Sequence, residues 1–241
     1  MARALASICV FCGARPGLNP AHTVAAREMG TAIAANGWRL VYGAGDVGLM
    51  GEVARAAQTA GGPTFGVIPT HLLGAERGKR DLTQLVITED MHERKKVMFM
   101  NSDAVVVLPG GAGSLDEFFE VLTWAQIGLH SKPILLLDTG GYWQPLIGLI
   151  DHIIAEGFAE PTMRTFFRLV PDSAALGAVA LAAVALRDLH VFHQVAQRLH
   201  QLGGFGHAAF LHQLLQLVQL LALGFRCQPR RQAHHALDCR H

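Results

Sequence analysis

Ala104-Val105-Val106-Val107-Leu108-Pro109-Gly110-Gly111-Ala112-Gly113-Ser114-Leu115-Asp116-Glu117 is the stretch that decides the fold. Its first five residues are apolar without alternation, the pattern of a strand buried on both faces. Proline and glycines end the run, and from Ser114 the chain takes up a helical period. The same grammar recurs on either side. Short apolar runs at 7–11, 39–42, 64–68, 85–88, 104–108 and 134–137 alternate with helix-length segments at 21–36, 47–60, 91–101, 114–128 and 142–156. The alternation predicts an α/β protein with a doubly wound, mostly parallel sheet flanked by helices. In such sheets function sits beyond the carboxyl ends of the strands, where the glycines fall.

Composition narrows the partners. Of 241 residues, 20 are Lys or Arg and 19 are Asp or Glu, so a net charge of +1 provides no global field for nucleic acid or an anionic membrane. Four cysteines make no disulfide scaffold. The longest apolar run, at 174–186, has 13 residues and is short of the ~18 that a spanning helix needs. The N-terminus faintly imitates a signal peptide, with Arg3 followed by apolar and small residues, but reads equally as a buried first strand ending at Gly13. The expected setting is cytoplasmic.

The chain changes character at residue 190. Residues 1–189 are expected to form the functional domain, and 190–241 an atypical tail. That tail holds eight His, eight Gln, ten Leu and five Arg, with Asp238 its one acid and no Lys. Part of it has an amphipathic helical period, so an appended helix is one reading. Another comes from Leu, His, Gln, Arg and Pro, which fill 32 of its 52 positions. These are the amino acids whose codons can begin with C, the mark of a shifted reading frame. Cys227, His234, His235, Cys239 and His241 match no standard zinc spacing, and no metal is expected.

Three elements carry chemistry. The first is Gly43-Ala44-Gly45-Asp46-Val47-Gly48 between strand and helix, a G-x-G-x-x-G that can bring a phosphate to backbone N–H groups. It is a weak dinucleotide fingerprint, because it follows the second strand and no acid closes the next one. Glycines for a tight turn and close helix packing are the bland alternative. The second is the Pro109–Glu117 turn, where Ser114 and Glu117 also fit a capping box. The third is Asp90-Met91-His92-Glu93-Arg94-Lys95-Lys96, with Asp90 and Glu93 as capping box. It sets Arg94 and Lys95 in first helical turns, where cations oppose the macrodipole unless something anionic lies near. His92 reads as a surface or capping residue. No G-K-[ST] occurs, so the chain has no P-loop. Cys9 and Cys12 form a C-x-x-C inside or just past a strand, which favours buried packing over redox work.

With these elements in this order, the chain resembles the LOG family of cytokinin riboside 5'-monophosphate phosphoribohydrolases, long described as lysine decarboxylases. The resemblance rests on Gly48-Leu49-Met50-Gly51, Met91-His92-Glu93-Arg94-Lys95 and Pro109-Gly110-Gly111-x-Gly113-Ser114-x-x-Glu117. It extends through 120–133 and 138–158 and covers about 1–185. It implies a modified Rossmann fold, a homodimer and no cofactor. The implied reaction is hydrolysis of the N-glycosidic bond of an N6-modified adenosine 5'-monophosphate to free base and ribose 5-phosphate.

On the same resemblance the essential pair falls on Arg94 and Glu117. Nucleotide contacts fall on Lys95, the loop Gly110, Gly111, Ala112, Gly113, Ser114, Leu115 and Asp116, then Thr123 and Glu76, with Gly45 from the first turn. The chemistry agrees: a carboxylate stabilises an oxocarbenium-like sugar, and Arg supplies a bidentate fork that Lys cannot.

Departures bear on the substrate more than on the reaction class. The family commonly shows Gly-Gly-Gly-x where this chain has Gly43-Ala44-Gly45-Asp46; an acid at Asp46 would repel a phosphate, and it is expected to cap the next helix instead. Ala14-Arg15 stands where Ser-Ser is common, so Arg15 adds a cation suited to phosphate. Ala112 is smaller than the usual aromatic. Two rival readings keep the fold: a non-catalytic nucleotide-binding or carrier protein, and a general AMP nucleosidase. A pyridoxal phosphate decarboxylase would need a Schiff-base lysine from Lys79, Lys95, Lys96 or Lys132.

Overall fold

The computed structural model describes residues 6–73 and 81–172. The chain divides into two units, 1–188 and 189–241, and every described residue belongs to the first. The appended-helix reading, the tail metal residues and Glu76 lie outside the described residues.

Among the described residues, seven strands form one sheet in the order β4-β3-β2-β1-β5-β6-β7. They are β1 (Ser7–Phe11), β2 (Arg39–Tyr42), β3 (Thr64–Pro69), β4 (Gln84–Thr88), β5 (Ala104–Val107), β6 (Ile134–Leu137) and β7 (Arg168–Val170). All six pairings are parallel. Five helices connect them: α1 (Pro20–Ala35), α2 (Gly48–Thr59), α3 (Met91–Met100), α4 (Ala112–Gln126) and α5 (Gln144–Ala155). The doubly wound parallel sheet expected from the apolar runs is therefore present. β7 is additional: a three-residue edge strand with an exposed Arg168 carries no apolar run to betray it.

Alternation along each buried strand feeds two cores. Ile8, Val10, Leu40, Tyr42 and Val106 face the side of α1 and α2. Cys9, Phe11, Val41, Val105 and Val107 face α3, α4 and α5. Cys9 and Cys12 fall in different cores, and both are free thiols. Burial pushes the Cys9 thiol well up, with the Glu117 carboxylate adding to the effect, so it is a neutral packing group.

The chain winds outward from β1 to β4, then crosses back along α3 to enter β5 on the other side of β1. That reversal is the switch point, and three loops are sewn together over it. Gly13 N–H donates to Pro109 O (3.1 Å), Leu108 N–H to Phe11 O (2.9 Å) and Leu49 N–H to Gly13 O (3.0 Å). Contact here is too close for side chains. A Cβ on Gly48, whose φ is +54°, would lie 2.3 Å from Ala14 C and 2.4 Å from Arg15 N. The glycines of the first cluster thus serve the approach of the β1 loop.

Candidate functional site

A cavity of about 690 Å³ opens at this switch point, between the loop after β1 and the turn after β5. Its charged lining residues are Arg15, Arg94 and Glu117, joined by His22 and by the hydroxyls of Ser114 and Tyr142.

Arg94 reaches the cavity from the first turns of α3. Asp90 is the N-cap, its Oδ1 accepting from Glu93 N–H (2.8 Å), while the Glu93 carboxylate accepts from Glu89 N–H (2.9 Å). The predicted box forms, with the reciprocal bond one residue earlier. Arg94 is 4% exposed. Its Nη2 donates to Gly43 O (2.7 Å), its Nε to Val67 O (3.2 Å), and its Nη1 rests against Met91 Sδ (3.6 Å). A Cβ at Gly43 would sit 2.0 Å from Nη2. Main-chain carbonyls at the ends of β2 and β3 therefore fix the plane of the guanidinium, and Gly43 is required by that cation.

Glu117 comes from the second turn of α4 and is 9% exposed. The capping-box reading of Ser114 and Glu117 does not hold. An extra turn begins at Ala112 with Gly111 as N-cap, which moves both residues inside the helix. Ser114 is 3% exposed, and a Cβ on Gly110 would meet its Oγ at 2.1 Å. Its hydroxyl lies folded over the glycine turn. Tyr142 Oη donates to Gly110 O (2.6 Å) and braces the turn from outside.

The residues expected at the site separate into two groups. Arg94, Gly110, Gly111, Gly113, Ser114 and Glu117 line the cavity. Gly45, Lys95, Ala112, Leu115, Asp116 and Thr123 are not among its lining residues. Lys95 instead turns to α4, with Nζ 2.9 Å from Asp116 Oδ2 and 3.1 Å from Glu120 Oε1. Those carboxylates are the anionic neighbours that a cation so early in α3 called for. Asp46 likewise pairs with Arg55 Nη1 (2.6 Å), and α2 is capped at Val47 without a side-chain bond. The N-cap position of α2 is thus Val47 rather than the expected Asp46, whose carboxylate meets Arg55 on the helix surface. His22 and Tyr142 were not anticipated. The signal for His22 was available, since it follows the Asn19-Pro20 helix start at a helical interval from Ala25, Ala26 and Met29.

No lysine lines the cavity among the described residues. Lys132 is spent on Phe99, donating to its carbonyl (2.6 Å) and lying 3.8 Å from its ring centroid. A Schiff-base cofactor does not fit this lining.

Backbone donors at a helix N-terminus, faced by a fixed guanidinium and a buried carboxylate, make a site suited to a small phosphorylated ligand at the switch point of a parallel sheet. Residues 50–179 match the family model described as "possible lysine decarboxylase". The chain is 44% identical over 169 residues to a probable cytokinin riboside 5'-monophosphate phosphoribohydrolase of Oryza sativa subsp. japonica, covering 70% of this chain and 74% of that protein. It is 47% identical over 160 residues to the cytokinin riboside 5'-monophosphate phosphoribohydrolase of Rhodococcoides fascians, covering 66% and 81%. A molybdenum cofactor binding protein from Rippkaea orientalis shares the fold, with a TM-score of 0.59 at 21% identity over 76% of this chain and 99% of that one. The chain belongs to the LOG family, the cytokinin riboside 5'-monophosphate phosphoribohydrolases.

Proposed function

We infer that this protein hydrolyses the N-glycosidic bond of N6-modified adenosine 5'-monophosphates, releasing the free base and ribose 5-phosphate. The observation that carries the reading is the meeting of Arg94 and Glu117 in one cavity with the glycine turn of α4. Family membership at 44–47% identity supports the same reaction.

The chemistry follows from the placement. The 5'-phosphate lies against the backbone N–H groups of the α4 turn and the Ser114 hydroxyl. The C1'–N bond breaks, its electron pair leaves with the base nitrogen, and positive charge develops on the sugar. Glu117 stabilises that charge and orients the water whose oxygen joins C1'; the water's proton balances the departing base. Arg94 holds the phosphate or the carboxylate in register, its plane set by Gly43 O and Val67 O. Lys95 and Asp116 act as a pair that locks α3 to α4 beneath the site.

We also infer a homodimer, working in the cytoplasm. Exposed Met100, Ile127 and Leu129 support the dimer, since they gather at the C-terminal ends of α3 and α4. There the Phe99 ring lies 5.0 Å from Trp124 and 4.8 Å from His130. Sedimentation of wild type beside Leu129→Asp checks it, a monomer in both removing the proposal.

Product analysis with AMP and N6-isopentenyl-AMP tests the reaction. Wild type is expected to give free base and ribose 5-phosphate, and Glu117→Ala to lose about 10²–10³-fold in rate. Intact nucleotide in every reaction, with binding retained, would replace the enzyme by a carrier.

A further inference from the structure

We propose that Arg15 and His22, on the loop and first turn after β1, form a second half of the phosphate site, facing the glycine turn of α4 across the cavity. The proposal rests on the nucleotide reading of the cavity and adds two residues that no motif carries.

His22 is the more telling of the two. It lines the cavity yet is only 8% exposed, and its Nδ1 is buried with no hydrogen-bond partner. A buried polar atom without a partner costs stability, most of all when it is an N–H with no acceptor. The ring is held edge-on by Tyr142, at 5.3 Å between centroids, and Gly17 at φ +75° closes over Cδ2. The other ring nitrogen, Nε2, belongs to a side chain that lines the cavity. It has no acceptor within the described residues, so the natural acceptor is an anionic oxygen of the ligand.

Arg15 supplies the charge. Its backbone is clamped, with a Cβ at Gly48 standing only 2.4 Å from Arg15 N and one at Gly13 only 3.0 Å from Arg15 O. The side chain is exposed and lines the cavity, and it makes no ion pair or hydrogen bond among the described residues. Arg27, Arg55 and Arg164 all have carboxylate partners, and Arg39 is bound to Ser7 and Asn101. Of the other charged groups lining the cavity, Arg94 is tied to main-chain carbonyls and Glu117 is an anion. A dianionic phosphate entering beside Glu117 needs a further cation, and a guanidinium at the rim provides it in bidentate form.

Binding of inorganic phosphate and of ribose 5-phosphate, by calorimetry, tests the proposal on the full chain beside nucleotide kinetics. Arg15→Ala and His22→Phe should each weaken both ligands about tenfold or more, as lost charge-assisted hydrogen bonds do. KM for the nucleotide should rise by a similar factor, while kcat changes less and the melting temperature holds. His22→Gln, which restores a donor, should recover most of the loss and separates the hydrogen bond from ring packing. Unchanged affinity for both ligands in Arg15→Ala and His22→Phe would overturn the proposal even if the nucleotide is hydrolysed. So would a wild type that binds neither ligand. If the wild type binds phosphate through these residues but hydrolyses no nucleotide, the phosphate site stands and the enzymatic reading falls.

Discussion

Arg94 pays for its place in the core by giving up its freedom. Three of its nitrogens are engaged by Gly43 O, Val67 O and Met91 Sδ, so the cation arrives at the cavity already oriented. Preorganised charge is where an active site gains most, because nothing need reorganise as the transition state forms. Gly43→Ala is the sharpest probe of that arrangement. Its methyl would stand 2.0 Å from Nη2 and 2.9 Å from Cζ, displacing the fork. We expect hydrolysis to fall about 10²-fold or more, with a stability cost of about 1–3 kcal/mol from overpacking. Circular dichroism melting beside product analysis separates the two; full activity in a folded variant would refute the positioning role. Arg94→Lys should fail as well, since an ammonium cannot span two carbonyls in a plane. At this scale the sequence was partly legible. Arg94 and Glu117 stood out because motif and chemistry agreed, whereas Asp46, Lys95 and Thr123 took positions that spacing alone could not settle. Asp46 had Arg55 within reach, and Lys95 had two α4 carboxylates that only folding brings close.

At the scale of elements, helix faces and connections carry the consequences. α1 lies on α2 through Gly30, where a Cβ would meet Val53 O at 2.2 Å and Ala57 N at 2.9 Å. Both are backbone atoms within a helix, so the helices must part. Gly30→Ala should lower stability by about 1–3 kcal/mol, read as a fall in denaturant midpoint. An unchanged midpoint would mean that α1 is free to shift. The connection from α4 to β6 has a different sensitivity. His130 Nδ1 accepts from Lys132 N–H (3.0 Å), and its Nε2 donates to Val121 O (2.8 Å), which fixes a neutral ring. Burial pushes its pKa below the usual histidine range; the bond to Val121 opposes this and the Lys132 cation adds to it. The fold therefore favours the neutral form. Its contribution is complete above the unfolded value of about 6.5 and is lost as pH falls through the lower folded value. The protection factor of the Lys132 amide against hydrogen exchange should fall in acid once the ring protonates at Nδ1. His130→Gln should remove that step; an identical acid profile in the variant would assign it to another group.

Across the whole molecule, the fold could be read because a parallel sheet writes itself as unbroken apolar runs, and six of these became β1 to β6 within two residues of their expected bounds. β7 escaped because an edge strand of Arg168, Leu169 and Val170 buries little and needs no such run. The cavity was legible by topology, since strand order alone places a ligand where the winding reverses, but its walls were not. Tyr142, on the far side of β6, meets Gly110 only after 32 residues of chain have returned to the sheet. The same reasoning bears on the tail. Every described residue lining the cavity falls between Val10 and Tyr142, and the described sheet closes with β7 at Val170. Residues 190–241 are poor in acids, without lysine, and concentrated in amino acids with C-first codons. We therefore expect a chain ending at residue 189 to fold, to keep the melting midpoint of the full chain, and to hydrolyse the nucleotide with unchanged kcat and KM. Thermal melts and product analysis on both forms, with resequencing of the gene, decide the matter. A truncated chain that fails to fold, from a gene whose frame is intact, would make the tail part of the domain and retire the shifted-frame reading. Equal stability and activity would leave residues 1–189 as the complete catalytic unit.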